Sequence, residues 1–97
     1  MIHITGKAET MLRISLKGSE NTPIRIFLET GDPREPSLAF VEDQPKETDD
    51  VYDVNGFTML IDKELHKKTK DVTIRYPSYF RVDSEIPVGA MRAAGGS

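Results

Sequence analysis

The chain has 97 residues, and its 8 Ile, 6 Leu, 6 Val and 4 Phe make up about a quarter of it, enough apolar material for one small core and well outside the disordered range. Sixteen acidic against thirteen basic residues give a net charge of -3, which argues against phosphate-driven nucleic-acid binding and against an anionic membrane surface. Without a single cysteine, the chain has no disulfide framework, no thiolate nucleophile and no sulfur ligand for zinc or an iron–sulfur centre.

Ile2 and Ile4 alternate with His3 and Thr5 as in a short strand, and Lys7 to Lys17 carries Ala8, Met11, Leu12 and Leu16 at helical spacing. Thr5 is placed to cap that helix and Gly18 to follow its last turn in a left-handed conformation. Ile14 lies off the main stripe, where it is expected to meet a second layer. From Pro23 the period changes to two, with Ile24, Ile26 and Leu28 on one face and Arg25, Phe27 and Glu29 on the other. A polar connection with two prolines and Gly31 leads to a second strand over Ser37 to Val41. Val51 and Val54 mark a third, and Asn55-Gly56 is a hairpin signal that sends Phe57 to Ile61 back against it.

Asp62 stands where a helix cap belongs, ahead of a brief basic surface helix or turn, Lys63 to Lys70, anchored by Leu65. Val72, Ile74 and Tyr76 alternate as a strand, Pro77 interrupts, and Tyr79 to Val82 resumes an extended course. These elements predict one α+β domain over residues 1–87, followed by an Ala- and Gly-rich tail over 88–97 that is expected to be mobile. The expected core is Ile24, Ile26, Leu28, Leu38, Phe40, Val51, Phe57, Met59, Ile61, Val72 and Ile74, joined by Leu12 and Leu16, with Phe27 and Leu60 in reserve. The N-terminus shows no basic region followed by an apolar run, and no apolar stretch is long enough to span a bilayer, so a cytoplasmic location is expected.

Chemistry is sparse in this sequence. His3 and His66 have no catalytic motif around them, and His66 sits in the basic segment, where a lone exposed histidine is expected to be structural or neutral. The acidic groups Glu42-Asp43 and Glu47-Thr48-Asp49-Asp50 lack the glycine and glutamate spacing of a calcium loop and read as solvated loop charges. Arg75-Tyr76-Pro77-Ser78-Tyr79-Phe80-Arg81 mixes rings with cations as single-strand binders do, but the acidic balance makes packing of Tyr76 and Phe80 near the core the better reading. No catalytic, cofactor-binding or metal-ligating residue is assigned, and no cofactor is expected.

One ordered series stands out: Ile24-Arg25-Ile26-Phe27-Leu28, the loop at Gly31, Asp43-Gln44-Pro45, Asp49-Asp50-Val51, Asn55 to Asp62, Val72 to Tyr76 and Tyr79-Phe80, preceded by Ile2 to Thr5 and the helix with Ala8 and Leu16. In this order and spacing it resembles the HesB/IscA family. The resemblance implies a compact α+β domain of short, mostly antiparallel strands in small sheets, with an N-terminal helix and one short helix. It also implies an A-type carrier in iron–sulfur cluster assembly, which holds iron or a cluster through one cysteine in a Gly-Cys loop and two in a C-terminal Cys-Gly-Cys. Laid against that pattern, the loop cysteine falls at Asp32 and the tail pair near Met91 and Ala93, and Arg75 replaces the acid common before the tyrosine. A carboxylate, a thioether and a methyl group do not replace soft thiolates. The expectation is a non-enzymatic scaffold that has lost cluster binding and serves as a protein-binding or regulatory module, through self-association or an unknown protein partner. The alternative is a residual metal-handling or accessory role in cluster assembly through non-thiolate ligands.

Overall fold

The computed structural model describes residues 1–19, 21–30 and 36–88. Along the chain they form β1 (Ile2–Ile4), α1 (Gly6–Ser15), β2 (Ile24–Glu29), β3 (Ser37–Glu42), β4 (Asp49–Val54), β5 (Phe57–Asp62), α2 (Lys63–Thr69), β6 (Val72–Arg75) and β7 (Arg81–Ser84). Local chemistry sets several boundaries. The Thr5 hydroxyl accepts a hydrogen bond from the Ala8 amide at 3.3 Å and caps α1, as the sequence predicts. Gly18 follows with φ +91, and Asp62 caps α2 by accepting from the amides of Glu64 and Leu65.

The strands make two small mixed sheets, one in the order β1-β6-β7 and the other in the order β3-β2-β5-β4. Three neighbouring pairs are antiparallel, β2 with β3, β4 with β5 and β6 with β7, while β1 with β6 and β2 with β5 run parallel. Each sheet turns one apolar face to the other. Ile2, Val72 and Ile74 on one side and Ile24, Ile26, Leu38, Phe57, Met59 and Ile61 on the other share a single core with Ala8 and Leu12 of α1. Helix α1 closes one end of this sandwich: Arg13 donates to the Asn55 carbonyl and lies over the Phe57 ring, and Lys7 donates to the Pro77 carbonyl. Helix α2, which starts where β5 ends, covers the opposite end and buries Thr69.

The hairpin forms as its dipeptide predicts, with positive φ at both Asn55 (+53) and Gly56 (+87) and Val54 opposite Phe57. That register corrects the expected core. Phe57, Met59 and Ile61 face inward, so Val54 and Tyr52 must do so too, and Val51, one residue out of phase, points away and is 53% exposed. Leu28, Phe40 and Leu16 are only partly buried, whereas Ile2, Ala8 and Leu60, absent from the expected main set, are fully buried. Ile14 meets no second layer and is 62% exposed. The last strand begins at Arg81 rather than Tyr79, because Tyr76 and Phe80 leave the extended course to pack edge to face with each other and, through Phe80, with Phe40. The predicted tail after Val88 lies outside the described residues.

Two outcomes follow for stability. Gly56→Val forces a β-branched side chain into the left-handed region and should cost about 1–3 kcal/mol in thermal or denaturant melts, while Asn55→Gly is tolerated. Ile26→Ala should cost about 2–5 kcal/mol, and Val51→Ala should stay within about 0.5 kcal/mol, which a core role for Val51 would contradict.

Candidate functional site

Three places bring polar or concave features together. The first lies on the outer face of the four-stranded sheet, where alternation along β2 turns Arg25 away from the core. Its guanidinium crosses β5 to reach β4, donating to both carboxylate oxygens of Asp49 at 2.5 and 2.7 Å. It also donates to Asp43 at 2.6 Å and to the Gln44 carbonyl at 3.0 Å. The Asp49 carboxylate, wholly buried, accepts a further bond from the Lys46 amide. Arg25 holds Asp49 below the usual carboxylate range, partly opposed by burial, and holds Asp43 low together with the Gln44 amide. The same bonds push the guanidinium further into its charged form.

A second cluster gathers at the α2 end. The His66 side chain is only 12% exposed, with Nδ1 2.8 Å from Asp50 and 3.3 Å from the Tyr52 hydroxyl, and Nε2 3.1 Å from the Met1 amine. That amine also donates to Asp71 at 2.9 Å and thereby lowers the Asp71 carboxyl. His3 reaches the other Asp71 oxygen at 3.6 Å. Burial, aided by the charges of Asp50 and Asp71, pushes the Tyr52 phenol up. Assigned from its partners, His66 carries its proton on Nδ1 toward Asp50 and accepts from the ammonium at Nε2. Both ring nitrogens are therefore engaged within the fold, and His66 ties α2 to β4 and the chain start. A shallow cleft of about 410 Å³ opens beside it, bordered by Lys63, Lys67 and Lys70.

The third place is a groove of about 690 Å³ between β3 and β7, whose lining includes Pro36, Leu38, Pro87 and Val88. Pro36 and Val88, the described residues next to the two segments that the resemblance makes ligand-bearing, both line this groove. Asp32, Met91 and Ala93 themselves lie outside the described residues. Among the described residues, no three His, Asp or Glu side chains stand where they could hold a metal ion together.

Two expectations are corrected by this geometry. Asp43, Asp49 and Asp50 are not solvated loop charges but are paired with Arg25 or His66, although Glu42 and Glu47 are exposed as expected. His66 is not an exposed histidine of a basic turn. For Arg25, the available signal was a lone cation at an outward strand position, followed by acids on both sides of a proline turn. The expected packing of Tyr76 and Phe80 against the core holds, with Arg75 and Arg81 paired outside to Asp83.

This arrangement of two small mixed sheets closed by two helices is the fold of iron–sulfur assembly proteins of the IscA and SufA kind. A crystal structure of IscA with the [2Fe-2S] cluster matches 88% of this chain and 83% of its own, with a TM-score of 0.69 at 19% identity. The crystal structure of Escherichia coli SufA, involved in biosynthesis of iron–sulfur clusters, matches 86% and 79%, also at 0.69, with 9% identity. By sequence, neither a protein family nor a curated protein matches the chain. At these identities the likeness is one of fold, and to that extent the resemblance read from the sequence holds.

The Arg25 cluster sets a measurable acid limit. Asp49 has its carboxyl lowered from the ordinary 3.8, so its stabilisation is complete above that value and is lost as the pH falls through the lower, folded value. Arg25→Met strands a buried carboxylate and should cost about 3–5 kcal/mol near neutral pH. Adding Asp49→Leu should recover part of that loss and flatten the acid side of the stability curve, measured by urea melts across pH; an additive double variant would contradict the coupling.

Proposed function

We propose that this chain is a non-catalytic protein-binding module built on the IscA-like scaffold, and that it does not carry an iron–sulfur cluster. The observation behind this reading is the pairing of that fold with 97 residues that contain no cysteine. Clusters are held by thiolates, with imidazole as an occasional substitute, and a scaffold does not bring its site's chemistry without the side chains that perform it. A catalytic role has equally little to stand on. The best histidine, His66, spends both nitrogens on Asp50, Tyr52 and the Met1 amine, which suits an anchor better than a general base.

Metal handling through oxygen and imidazole ligands has less support than binding. Among the described residues, no three His, Asp or Glu side chains converge where they could hold an ion together. Exposed apolar side chains and open strand edges instead favour association with another protein.

Anaerobic reconstitution with ferrous iron and sulfide, followed by desalting, visible absorption and metal analysis, tests the reading. The expected result is colourless protein with iron well below one equivalent. About one iron per chain with sulfide-to-iron absorption bands would overturn it.

A further inference from the structure

The two outer faces of the sandwich differ in kind. Outside the three-stranded sheet stand His3, Thr73, Arg75, Arg81 and Asp83, a polar surface of small ion pairs. Outside the four-stranded sheet, one cross-strand row runs Val41, Arg25, Leu60, Val51, with Phe27 and Ala39 beside it. Val41 is 48% exposed and Val51 53%, both within strands rather than loops, one on each edge strand of the sheet. Between them Leu60, opposite both Arg25 and Val51, is fully buried yet lies outside the main core. The row spans three strand spacings, about 14 Å, close to the width of one helix with its side chains.

Charge selects the occupant. On and around this face the carboxylates of Glu29, Asp43, Asp49, Asp53 and Asp62 outnumber the Arg25 guanidinium and the nearby Lys46. Arg25 is consumed by Asp43 and Asp49, and Asp62 caps α2. Glu29 and Asp53 have no ion-pair partner among the described residues. A second copy of this face would bring like charges together around the apolar row, which works against self-association there.

We infer that the outer face of the four-stranded sheet is a docking surface for a cationic amphipathic helix of another protein, with apolar side chains seated on the Val41–Val51 row and lysines or arginines facing Glu29, Asp53 and Asp62. The inference rests on the binding-module reading and gives it a surface and a partner chemistry.

The test uses the isotope-labelled chain and three model peptides of about 18 residues: a Leu/Lys amphipathic helix, the same helix with Glu for Lys, and one with Ser for Leu. The Leu/Lys peptide should shift the amides of Phe27, Val41, Val51 and Leu60 saturably, binding at least about tenfold more tightly than either control. Val41→Ser with Val51→Ser should weaken it by about tenfold or more, with an unchanged melting temperature and an otherwise unchanged spectrum. Equal binding of the Ser/Lys peptide, shifts confined to other surfaces, or undiminished binding by the double variant would each overturn the inference. So would a dimer formed without peptide that the double serine variant makes monomeric, since the occupant would then be a second copy. None of these outcomes touches cluster reconstitution, so failure here is separable from failure of the proposed function.

Discussion

The structure depends on one side chain crossing a strand. Arg25 leaves β2, passes over β5 and ends on Asp49 at the start of β4, while its remaining donors hold Asp43 and the Gln44 carbonyl. Two edges of the sheet and the connection between them are thereby fastened to its centre. A bidentate guanidinium–carboxylate pair suits this work, since it fixes orientation as well as distance and is shielded from salt when buried. Such a pair contributes less net stability than its short distances suggest, because both groups leave water to make it. Its larger effect is on which arrangement forms: a shift of β4 by one residue would turn the Asp49 carboxylate to the inner face and bring Asp50, Tyr52 and Val54 out in its place.

Around that fastening the molecule keeps a scaffold whose known relatives in structure include a cluster-bearing IscA. Scaffold and chemistry separate cleanly in such a fold. The core is made by alternating apolar residues on two sheets and a capped helix, none of which needs the loop and tail where the resemblance places the ligands. The absence of cysteine is therefore compatible with this packing. The histidine–carboxylate–amine cluster at the α2 end has a packing role of the same kind, joining the chain start to a helix and a strand far from it in sequence.

Much of this was legible locally. Thr5 as a cap, Gly18 after the helix, the period-two run of β2 and the Asn55-Gly56 turn each act within a few residues, where side-chain and backbone chemistry fix the outcome. The misplacement of Val51 was avoidable on the same terms. A two-residue turn sets Val54 against Phe57 and Val51 against Leu60, so Val51 and Val54 cannot share a face. What could not be read was the parallel pairing of β2 with β5, because nothing in either strand names its neighbour across the intervening β3 and β4. Without that pairing, Arg25 has no route to Asp49, and the acids of the connection look like ordinary solvated charges. The same gap hid the burial of His66, whose partners come from β4 and from Met1.

The parallel pairing of β1 with β6 bears on how the chain reaches this state. Ile2 and Ile4 form the first strand described, yet their partners Val72 and Ile74 belong to the sixth. During synthesis this apolar strand must wait, together with the exposed stripe of α1, until β6 emerges. Only then can the three-stranded sheet close over its neighbour. A domain with so much of its core joined late is expected to fold slowly for its size and to be most vulnerable to aggregation while still incomplete.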